Sequence, residues 1–313
     1  MFANHRTIYY ICSINLTKMN KQVNYSPLRY PGGKTKLYNL VQAVIAQYGK
    51  EVDTYVEPFA GGAGIAIGLL LNRQIENVII NDINVGVYSF WNSVCNDTEN
   101  LLRLISDTEI NVENFIQQKN IYKTENQYSL ELGFATFFLN RTCFSGVLDA
   151  GPIGGYKQTG KYLINARYNR QELIKKIEQI AQFRSNIEIH NLDILDFIKK
   201  VENKKEKLFT YFDPPYFVKG KALYTNFLDK EDHKKIYKSI NRVKTPWLIT
   251  YDNVDDIAKI YKKYPQFEFN LSYTVNSKVN RLGTELMITS DVDKFESINQ
   301  EISKKINLKR KEV

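Results

Sequence analysis

The fold of this chain is decided by the stretch Leu208-Phe209-Thr210-Tyr211-Phe212-Asp213-Pro214-Pro215-Tyr216. Its first five residues are almost all apolar or aromatic, which predicts a buried strand. The double proline must end that strand, because proline has no N–H to give to a sheet ladder. Asp213 is therefore predicted at the carboxyl end of a strand, the edge at which open α/β sheets bind their ligands.

The turn Asp213-Pro214-Pro215-Tyr216 is rich in hydrogen-bond acceptors. The two prolines donate nothing, so the turn offers carbonyl oxygens and the Asp213 carboxylate beside an aromatic ring. This combination suits a planar ring that carries an NH2 group, such as a nucleobase with an exocyclic amine. A strand that simply ends in a Pro-Pro turn with a capping Asp would have the same sequence, so the neighbouring residues have to decide.

Composition sets the broad class of the protein. The 313 residues are 43% hydrophobic, which is normal for a globular protein of one large or two ordinary domains. The 43 Lys and Arg exceed the 34 Asp and Glu and give a net charge of +9. This excess favours a polyanionic partner such as nucleic acid, although solvated lysine surfaces would produce the same charge.

The cysteines and the apolar runs point to a reducing, aqueous compartment. Cys12, Cys95 and Cys143 are widely spaced and there are only three histidines, so the sequence predicts neither a metal site nor a disulfide framework. No run approaches the ~20 apolar residues of a membrane span. A cytoplasmic protein is the expectation, with Met1 and Met19 as alternative start residues.

Two glycine turns precede two predicted helices. The first, Gly32-Gly33-Lys34-Thr35, is faintly similar to a phosphate loop but lacks its first glycine and the preceding strand. It is predicted instead as a tight turn that brings Tyr30 and Lys34 to a charged ligand. A helix over residues 37–48 is predicted to follow.

The second turn, at Gly61 and Gly62, follows a predicted strand at Thr54–Glu57 and precedes a helix over 65–71. Glycine lets the backbone approach a nucleotide closely, because it has no Cβ. A strand over 77–82 then ends in Asp82, twenty positions after Gly62, the spacing at which a carboxylate reaches ribose hydroxyls. The glycine pattern departs from G-x-G-x-x-G, which argues against a nicotinamide dinucleotide.

Taken together, five motifs in order resemble the Dam-type, or D12 class, adenine-N6 DNA methyltransferases of the α group. The resemblance extends from about residue 26 to 290. The motifs are Pro31-Gly32-Gly33-Lys34, Val56-Glu57-Pro58-Phe59-Ala60-Gly61-Gly62, Asn81-Asp82-Ile83-Asn84, Phe138-Leu139-Asn140-Arg141 and Asp213-Pro214-Pro215-Tyr216.

The resemblance implies an α/β fold: a Rossmann-like sheet that binds S-adenosylmethionine, with an inserted, mainly helical DNA-recognition subdomain. It implies a catalytic domain over 21–91 and 187–293 and a target-recognition subdomain over 92–186. Residues 1–20 are predicted as an extension and 294–313 as a basic, fraying tail. Such a long insert exceeds a connection within a compact sheet, but a mere lid is the alternative.

Site residues follow from the same resemblance. The catalytic residues implied are Asp213, Pro214 and Tyr216. The cofactor-binding residues implied are Tyr30, Gly33, Lys34, Glu57, Pro58, Phe59, Gly61, Gly62, Asp82, Asp193 and Asp213. Candidate DNA-binding cations are Arg141, Lys157, Lys161, Lys219, Lys221, Lys278 and Arg281, with Arg141–Gly160 predicted as a glycine-rich loop and Asn276–Gly283 as a mobile basic loop.

The implied partner is double-stranded DNA, and a separately acting cognate restriction endonuclease in the case of a restriction–modification system. Relatives that recognise GATC carry Arg-x-Asn and Phe-Asn-Val-Pro after the Asn-Arg helix, where this chain has residues 148–155, Leu-Asp-Ala-Gly-Pro-Ile-Gly-Gly. The resemblance therefore does not imply GATC.

Three other functions stay open on sequence alone. An RNA or protein-glutamine methyltransferase would share the cofactor fold but usually has Asn at the position of Asp213. A DNA-binding module without activity would have no use for Gly61, Gly62 and Asp82. An NTPase would need a true phosphate loop.

Overall fold

Eight strands form one mixed sheet in the computed structural model of this protein, which describes residues 24–29, 37–204, 207–217, 228–276, 279–298, 303–304 and 306–312. Of residues 271–276 and 279–283 only the backbone is described. The strand order is β3-β2-β1-β4-β5-β7-β6-β8. The strands are β1 (Thr54–Glu57), β2 (Asn77–Asn81), β3 (Ile187–His190), β4 (Leu208–Phe212), β5 (Trp247–Asp252), β6 (Gln266–Asn276), β7 (Val279–Thr289) and β8 (Lys309–Lys311).

Strands β1 to β5 are mutually parallel, and β7 pairs antiparallel to β5. The strands β1, β4 and β5 are buried along their whole length, as expected for parallel strands covered on both faces. The five predicted strands at 54–57, 77–82, 186–191, 208–212 and 247–251 are confirmed. The carboxyl ends of β1 to β5 meet along one side of the sheet, which we call the carboxyl edge.

Helices cover both faces of the sheet. One face, with Tyr55, Phe209 and Leu248, shares a core with the helices α1 (Tyr38–Ala46), α2 (Gly64–Leu71) and α3 (Val85–Asn96). The other face packs under α8 (Ile194–Glu202), α9 (Lys230–Ile240) and α10 (Asp255–Ile260). The result is a three-layer α/β sandwich, which confirms the predicted Rossmann-like fold class.

Between β2 and β3 the chain forms the predicted helical insert: α4 (Thr98–Asp107), α5 (Val112–Thr124), α6 (Leu130–Thr142) and α7 (Arg170–Ala181) follow α3. Helix α6 is buried on nearly every side and begins at Ser129, whose hydroxyl accepts from the Leu132 amide at 3.0 Å. The insert shares one continuous core with the sheet, and residue 92, its predicted start, lies inside α3. The division into subdomains stays a prediction.

Two predictions about the last third of the chain need correction. The residues predicted as a mobile loop at 276–283 largely belong to a hairpin, because β6 and β7 stay paired up to Asn276 and Val279, and Arg281 pairs with Tyr273. The C-terminal residues are not simply frayed: helix α11 (Val292–Glu296) buries Phe295, and β8 pairs with β6. Residues 1–20, the predicted extension, lie outside the described residues.

Candidate active site

The turn after β1 has the shape that its glycines predict. Gly61 has a φ of +46° and Ala63, which caps α2, a φ of +45°, both in the left-handed region that favours glycine. The Trp91 indole N–H on α3 donates to the Gly61 carbonyl oxygen at 2.9 Å. The turn is thus anchored to α3.

Asp82 connects this turn to the end of β2. Its Oδ2 accepts from the Gly61 amide at 2.8 Å, and its Oδ1 accepts from the Asn84 amide at 2.9 Å. Burial raises the pKa of Asp82 to about 6, while these two hydrogen bonds oppose the rise. The predicted proximity of Asp82 to the glycine turn is therefore present, and the carboxylate also has a structural role that its spacing did not reveal.

Asn81 joins the ends of three strands, a role that the sequence analysis missed. Its Nδ2 donates to the Pro58 carbonyl at 3.0 Å and to the Leu192 carbonyl at 3.1 Å, and its Oδ1 accepts from the Leu192 amide at 2.9 Å. An Asn buried at a strand end just before an acid is the only signal in the sequence for this role.

Glu57, the last residue of β1, is buried beneath the glycine turn. Its Oε1 accepts from the Tyr55 hydroxyl at 3.1 Å, and the Ala66 amide in the first turn of α2 also interacts with the carboxylate. Burial raises the pKa of Glu57 to about 8, and the nearby Asp213 carboxylate adds to the rise. Glu57 and Asp213 thus belong to one electrostatic site at the carboxyl edge.

Asp213 follows β4 and is half-buried. The Thr250 hydroxyl on β5 donates to its Oδ1 at 3.2 Å, and Thr250 lies 2.8 Å from the Tyr211 hydroxyl. The sequence analysis did not single out Thr250, although a Thr within the apolar strand Trp247–Asp252 is a signal. Pro214, the next implied catalytic residue, is buried.

Tyr216 is buried, with 5% of its surface exposed, and its hydroxyl donates to the Glu285 carboxylate on β7 at 2.7 Å. Next to it, the Phe217 amide donates to Asp252 at 2.8 Å. These contacts hold the chain that leaves the Pro-Pro turn against β5 and β7. A stacking role for Tyr216 therefore requires its ring to become accessible when a substrate binds.

Three more predicted cofactor residues lie at this edge. Pro58 is buried and Phe59 is half-buried against the core under α9 and α10. Asp193 lies beyond β3, is exposed, and caps α8 by accepting from the Leu195 amide at 2.8 Å. The ends of β1, β2, β3 and β4 thus bring together Glu57, Pro58, Phe59, Gly61, Gly62, Asp82, Asp193 and Asp213.

The predicted DNA contacts of the insert lie around one loop, which we call the recognition loop (residues 143–163). Lys157 and Lys161 are exposed on it. So are Phe144, Tyr156 and Tyr162, with 64%, 61% and 60% of their surfaces exposed. The Lys161 ammonium lies 5.7 Å from the centre of the Tyr162 ring. Large aromatic rings and cations exposed together are typical of a nucleic-acid contact.

The predicted start of the glycine-rich loop at Arg141 is wrong, because Arg141 lies in the last turn of α6. It is half-buried, and burial together with nearby Arg29 lowers the pKa of Arg141 to about 10. The two residues are brought together by Asn140, whose Oδ1 accepts from the Arg29 amide and whose Nδ2 donates to the Arg29 carbonyl, both at 2.6 Å. Two partly desolvated guanidinium groups side by side favour an anion.

The other predicted site residues cannot be compared with the structure. Tyr30, Gly33, Lys34, Lys219, Lys221 and Lys278 lie outside the described residues, and Arg281 is described by its backbone alone. Among the described residues, no helix is long and apolar enough to cross a membrane.

The sheet order, with five parallel strands and helices on both faces, defines a Rossmann-like α/β protein. The profile of the D12 class N6 adenine-specific DNA methyltransferases matches residues 30–276. The chain belongs to this family and is an adenine-specific DNA methyltransferase. The family that the sequence motifs predicted is therefore confirmed, whereas membership of the α group stays a prediction.

Curated relatives agree with this assignment. Type II methyltransferase M.MjaIII of Methanocaldococcus jannaschii is 25% identical over 262 residues, which are 76% of this chain and 88% of the relative. Type II methyltransferase M1.LlaDCHI of Lactococcus lactis subsp. cremoris is 22% identical over 88% of this chain and 99% of its own. Modification methylase StsI of Streptococcus sanguinis is 24% identical over 231 residues, which cover 69% of this chain and 32% of the relative.

Among solved structures, the rRNA methyltransferase aviRa from Streptomyces viridochromogenes aligns with 85% of this chain and 88% of its own. The TM-score is 0.36 and the identity 11%. A likeness at this level says nothing about the substrate.

Proposed function

We propose that this protein transfers a methyl group from S-adenosylmethionine to N6 of an adenine that is flipped out of a specific duplex DNA sequence. The observation that carries the proposal is the half-buried Asp213 carboxylate at the end of β4, beside Glu57 at the end of β1. A hydrogen-bond acceptor for a substrate amine thus lies next to the turn that suits a nucleotide cofactor. The cofactor supplies an electrophilic methyl group on a sulfonium.

The residues at the carboxyl edge fit S-adenosylmethionine. The left-handed turn at Gly61 leaves room for close approach of an adenosyl group. Asp82 uses one hydrogen bond on each oxygen for the backbone, and a carboxylate has about four acceptor sites, so acceptors are left for ribose hydroxyls. The buried Glu57 carboxylate at the end of β1 suits the methionyl ammonium. Asp193 is proposed to bind the adenine.

Asp213 and the Pro214 carbonyl are proposed to hold the two amine hydrogens of the flipped adenine. The N6 lone pair is delocalised into the ring, and two acceptors favour a tetrahedral nitrogen whose lone pair points at the methyl group. Alignment and electrostatic stabilisation of the positive charge that develops on N6 are the contributions of the protein. The surplus proton leaves after transfer, when the nitrogen is cationic and acidic.

DNA binding is proposed to use the recognition loop together with Arg141. The amine is inaccessible inside a duplex, so the adenine must leave the stack at a cost of a few kcal/mol. Base stacking on an aromatic ring returns ~1–3 kcal/mol. Tyr216 is proposed to stack on the base after its ring is uncovered, and Lys157, Lys161, Lys219, Lys221, Lys278 and Arg281 are proposed to contact phosphates.

The direct test is transfer of labelled methyl from S-adenosylmethionine to duplex DNA, followed by digestion to nucleosides. N6-methyl-2′-deoxyadenosine as the only labelled nucleoside supports the proposal. Label on cytosine, on RNA or on protein would overturn it. Sequencing that detects modified bases in a host expressing the chain then gives the recognition sequence.

A role in restriction–modification is tested on the same host DNA. We propose that a cognate endonuclease acts separately on the same sequence. DNA modified by this protein should resist that endonuclease, whereas DNA from a host expressing Asp213→Ala should be cut.

A further inference from the structure

Behind Asp213 lies a short chain of buried hydroxyl groups. Tyr211 and Asp213 are two residues apart on β4 and its extension, so both side chains point to the same face of the sheet. On the neighbouring strand, Leu248 is the register partner of Tyr211, which puts Thr250 on that same face. The Thr250 hydroxyl reaches Asp213 Oδ1 at 3.2 Å and the Tyr211 hydroxyl at 2.8 Å.

The direction of this chain follows from the chemistry of its members. An ionised carboxylate only accepts, so Thr250 must donate its single proton to Asp213. The Thr250 oxygen then accepts, and the Tyr211 hydroxyl is its donor. The sequence of donation is therefore Tyr211 to Thr250 to Asp213.

The burial of these two hydroxyls argues that they do more than fill space. Thr250 is 0% and Tyr211 1% exposed, within two strands that are buried throughout. A buried hydroxyl destabilises the fold unless it is hydrogen-bonded, and Val would fill the position of Thr250 without that requirement. Their mutual bond and the bond to Asp213 satisfy both groups and hold one oxygen of the carboxylate.

We propose that Thr250, oriented by Tyr211, is a positioning residue that sets the plane of the Asp213 carboxylate for the substrate amine. The donor is a neutral hydroxyl, so it orients the carboxylate without cancelling the negative charge that the amine needs. The proposal rests on the proposed function, because it assigns Thr250 to the reaction only through Asp213.

The test compares Thr250→Val with Thr250→Ser in single-turnover methyl transfer. Loss of one hydrogen bond to a charged group should slow the Val variant about 10- to 100-fold, whereas the Ser variant should stay within about threefold of wild type. KM for duplex DNA and for S-adenosylmethionine should not change. The matched control is Thr210→Val, since Thr210 is buried on β4 but its neighbours are on the opposite face, and its rate should equal wild type.

The order of donation gives a second test. Tyr211→Phe should slow transfer less than Thr250→Val, because Thr250 can still donate to Asp213. The double variant should be no slower than Thr250→Val alone, since groups acting in one chain are not additive. In an Asp213→Asn background, Thr250→Val should have less effect than in the wild type.

The outcomes separate this proposal from the proposed function. A Thr250→Val rate equal to wild type, with Asp213→Asn strongly slowed, overturns the positioning role and leaves the proposed function intact. A slow Thr250→Val that Thr250→Ser fails to restore, or an equal loss in Thr210→Val, assigns the effect to packing and also overturns it. Full activity of Asp213→Asn overturns the proposed function itself.

Discussion

The carboxyl edge and the recognition loop differ in the burial of their polar side chains. At the edge, Glu57, Thr250 and Glu285 are buried, and each forms a defined hydrogen bond with a tyrosine or with Asp213. On the recognition loop, Lys157 and Lys161 are exposed beside exposed aromatic rings.

The recognition loop is nevertheless ordered from within. The Phe144 amide donates to the Gly151 carbonyl at 2.9 Å, and the side chain of Gln158 bonds to the backbone of Ile153, Gly155 and Ile164. Lys119 on α5 holds the Leu148 and Ala150 carbonyls from outside. The backbone is fixed while the large side chains face solvent.

The difference fits the two tasks proposed for these regions. Catalysis needs groups that are oriented before the substrate arrives, because reorganisation during the reaction raises the barrier. DNA binding gains instead from side chains that exchange water and counterions for phosphate and base. Substitutions at the carboxyl edge should therefore slow methyl transfer without weakening DNA binding. Substitutions on the recognition loop should weaken DNA binding without slowing methyl transfer.

The largest effect is expected at Asp213. Asp213→Ala should slow single-turnover methyl transfer about 100- to 1000-fold, because it removes the counter-charge for the amine. Affinity for duplex DNA should stay close to wild type. Asp213→Asn keeps one acceptor and should retain weak activity; a near wild-type rate in that variant would refute the assignment.

Asp82 should affect the cofactor rather than the DNA. Asp82→Ala should weaken binding of S-adenosylhomocysteine about 10- to 100-fold, the loss expected for hydrogen bonds to a charged group. Equilibrium dialysis measures this, and filter binding checks that DNA affinity is unchanged.

The loop-holding role of Asp82 must be separated from ribose contact. A cofactor analogue that lacks the ribose hydroxyls should bind more weakly than S-adenosylhomocysteine to wild type but equally to Asp82→Ala. If wild type does not discriminate between the two ligands, Asp82 acts only through Gly61 and Asn84.

Glu57 should make the stability of the apo protein depend on pH. Its pKa is about 8 in the fold against an ordinary 4.5, so the folded state keeps a proton that the unfolded state has lost between these values. Stability therefore falls as pH rises through this window. Each unit of pKa difference corresponds to about 1.4 kcal/mol. Thermal unfolding of Glu57→Gln should lack this fall.

The control for Glu57 is Glu113→Gln, an exposed residue at the start of α5. Its unfolding temperature should follow wild type at every pH. The unfolding temperatures of wild type and Glu57→Gln should diverge between about pH 5 and about pH 8. Identical pH dependence of the two unfolding temperatures would contradict the buried, protonated state of Glu57.

The smallest effect is expected on the recognition loop. Lys157→Gln and Lys161→Gln should each reduce the slope of log affinity against log salt by about 0.9 if they contact phosphates. Lys262→Gln is the control, since Lys262 is exposed but follows α10, toward the opposite side of the sheet. A slope that is unchanged in the two loop variants would remove these lysines from the DNA contact, whereas methyl transfer at saturating DNA should be unaffected in all three.

The sequence by itself determined the strands of the sheet and the family. Apolar runs ended by Asp213-Pro214-Pro215 or by Gly61-Gly62 can form little else than strands that stop at a ligand-binding edge, because proline and glycine act through the local backbone. The spacing from Gly62 to Asp82 likewise predicted a carboxylate near the turn. In the structure, Asp82 accepts a hydrogen bond from the Gly61 amide of that turn.

Only the tertiary structure decided which side chains support that edge. Thr250 contacts Asp213 across 37 positions of sequence, and Glu285 contacts Tyr216 across 69. Such pairs depend on strand order and register, which the spacing of residues along the chain does not encode. For the same reason the sequence missed β8: its few polar residues have no strand pattern of their own and form a strand only against the edge of β6.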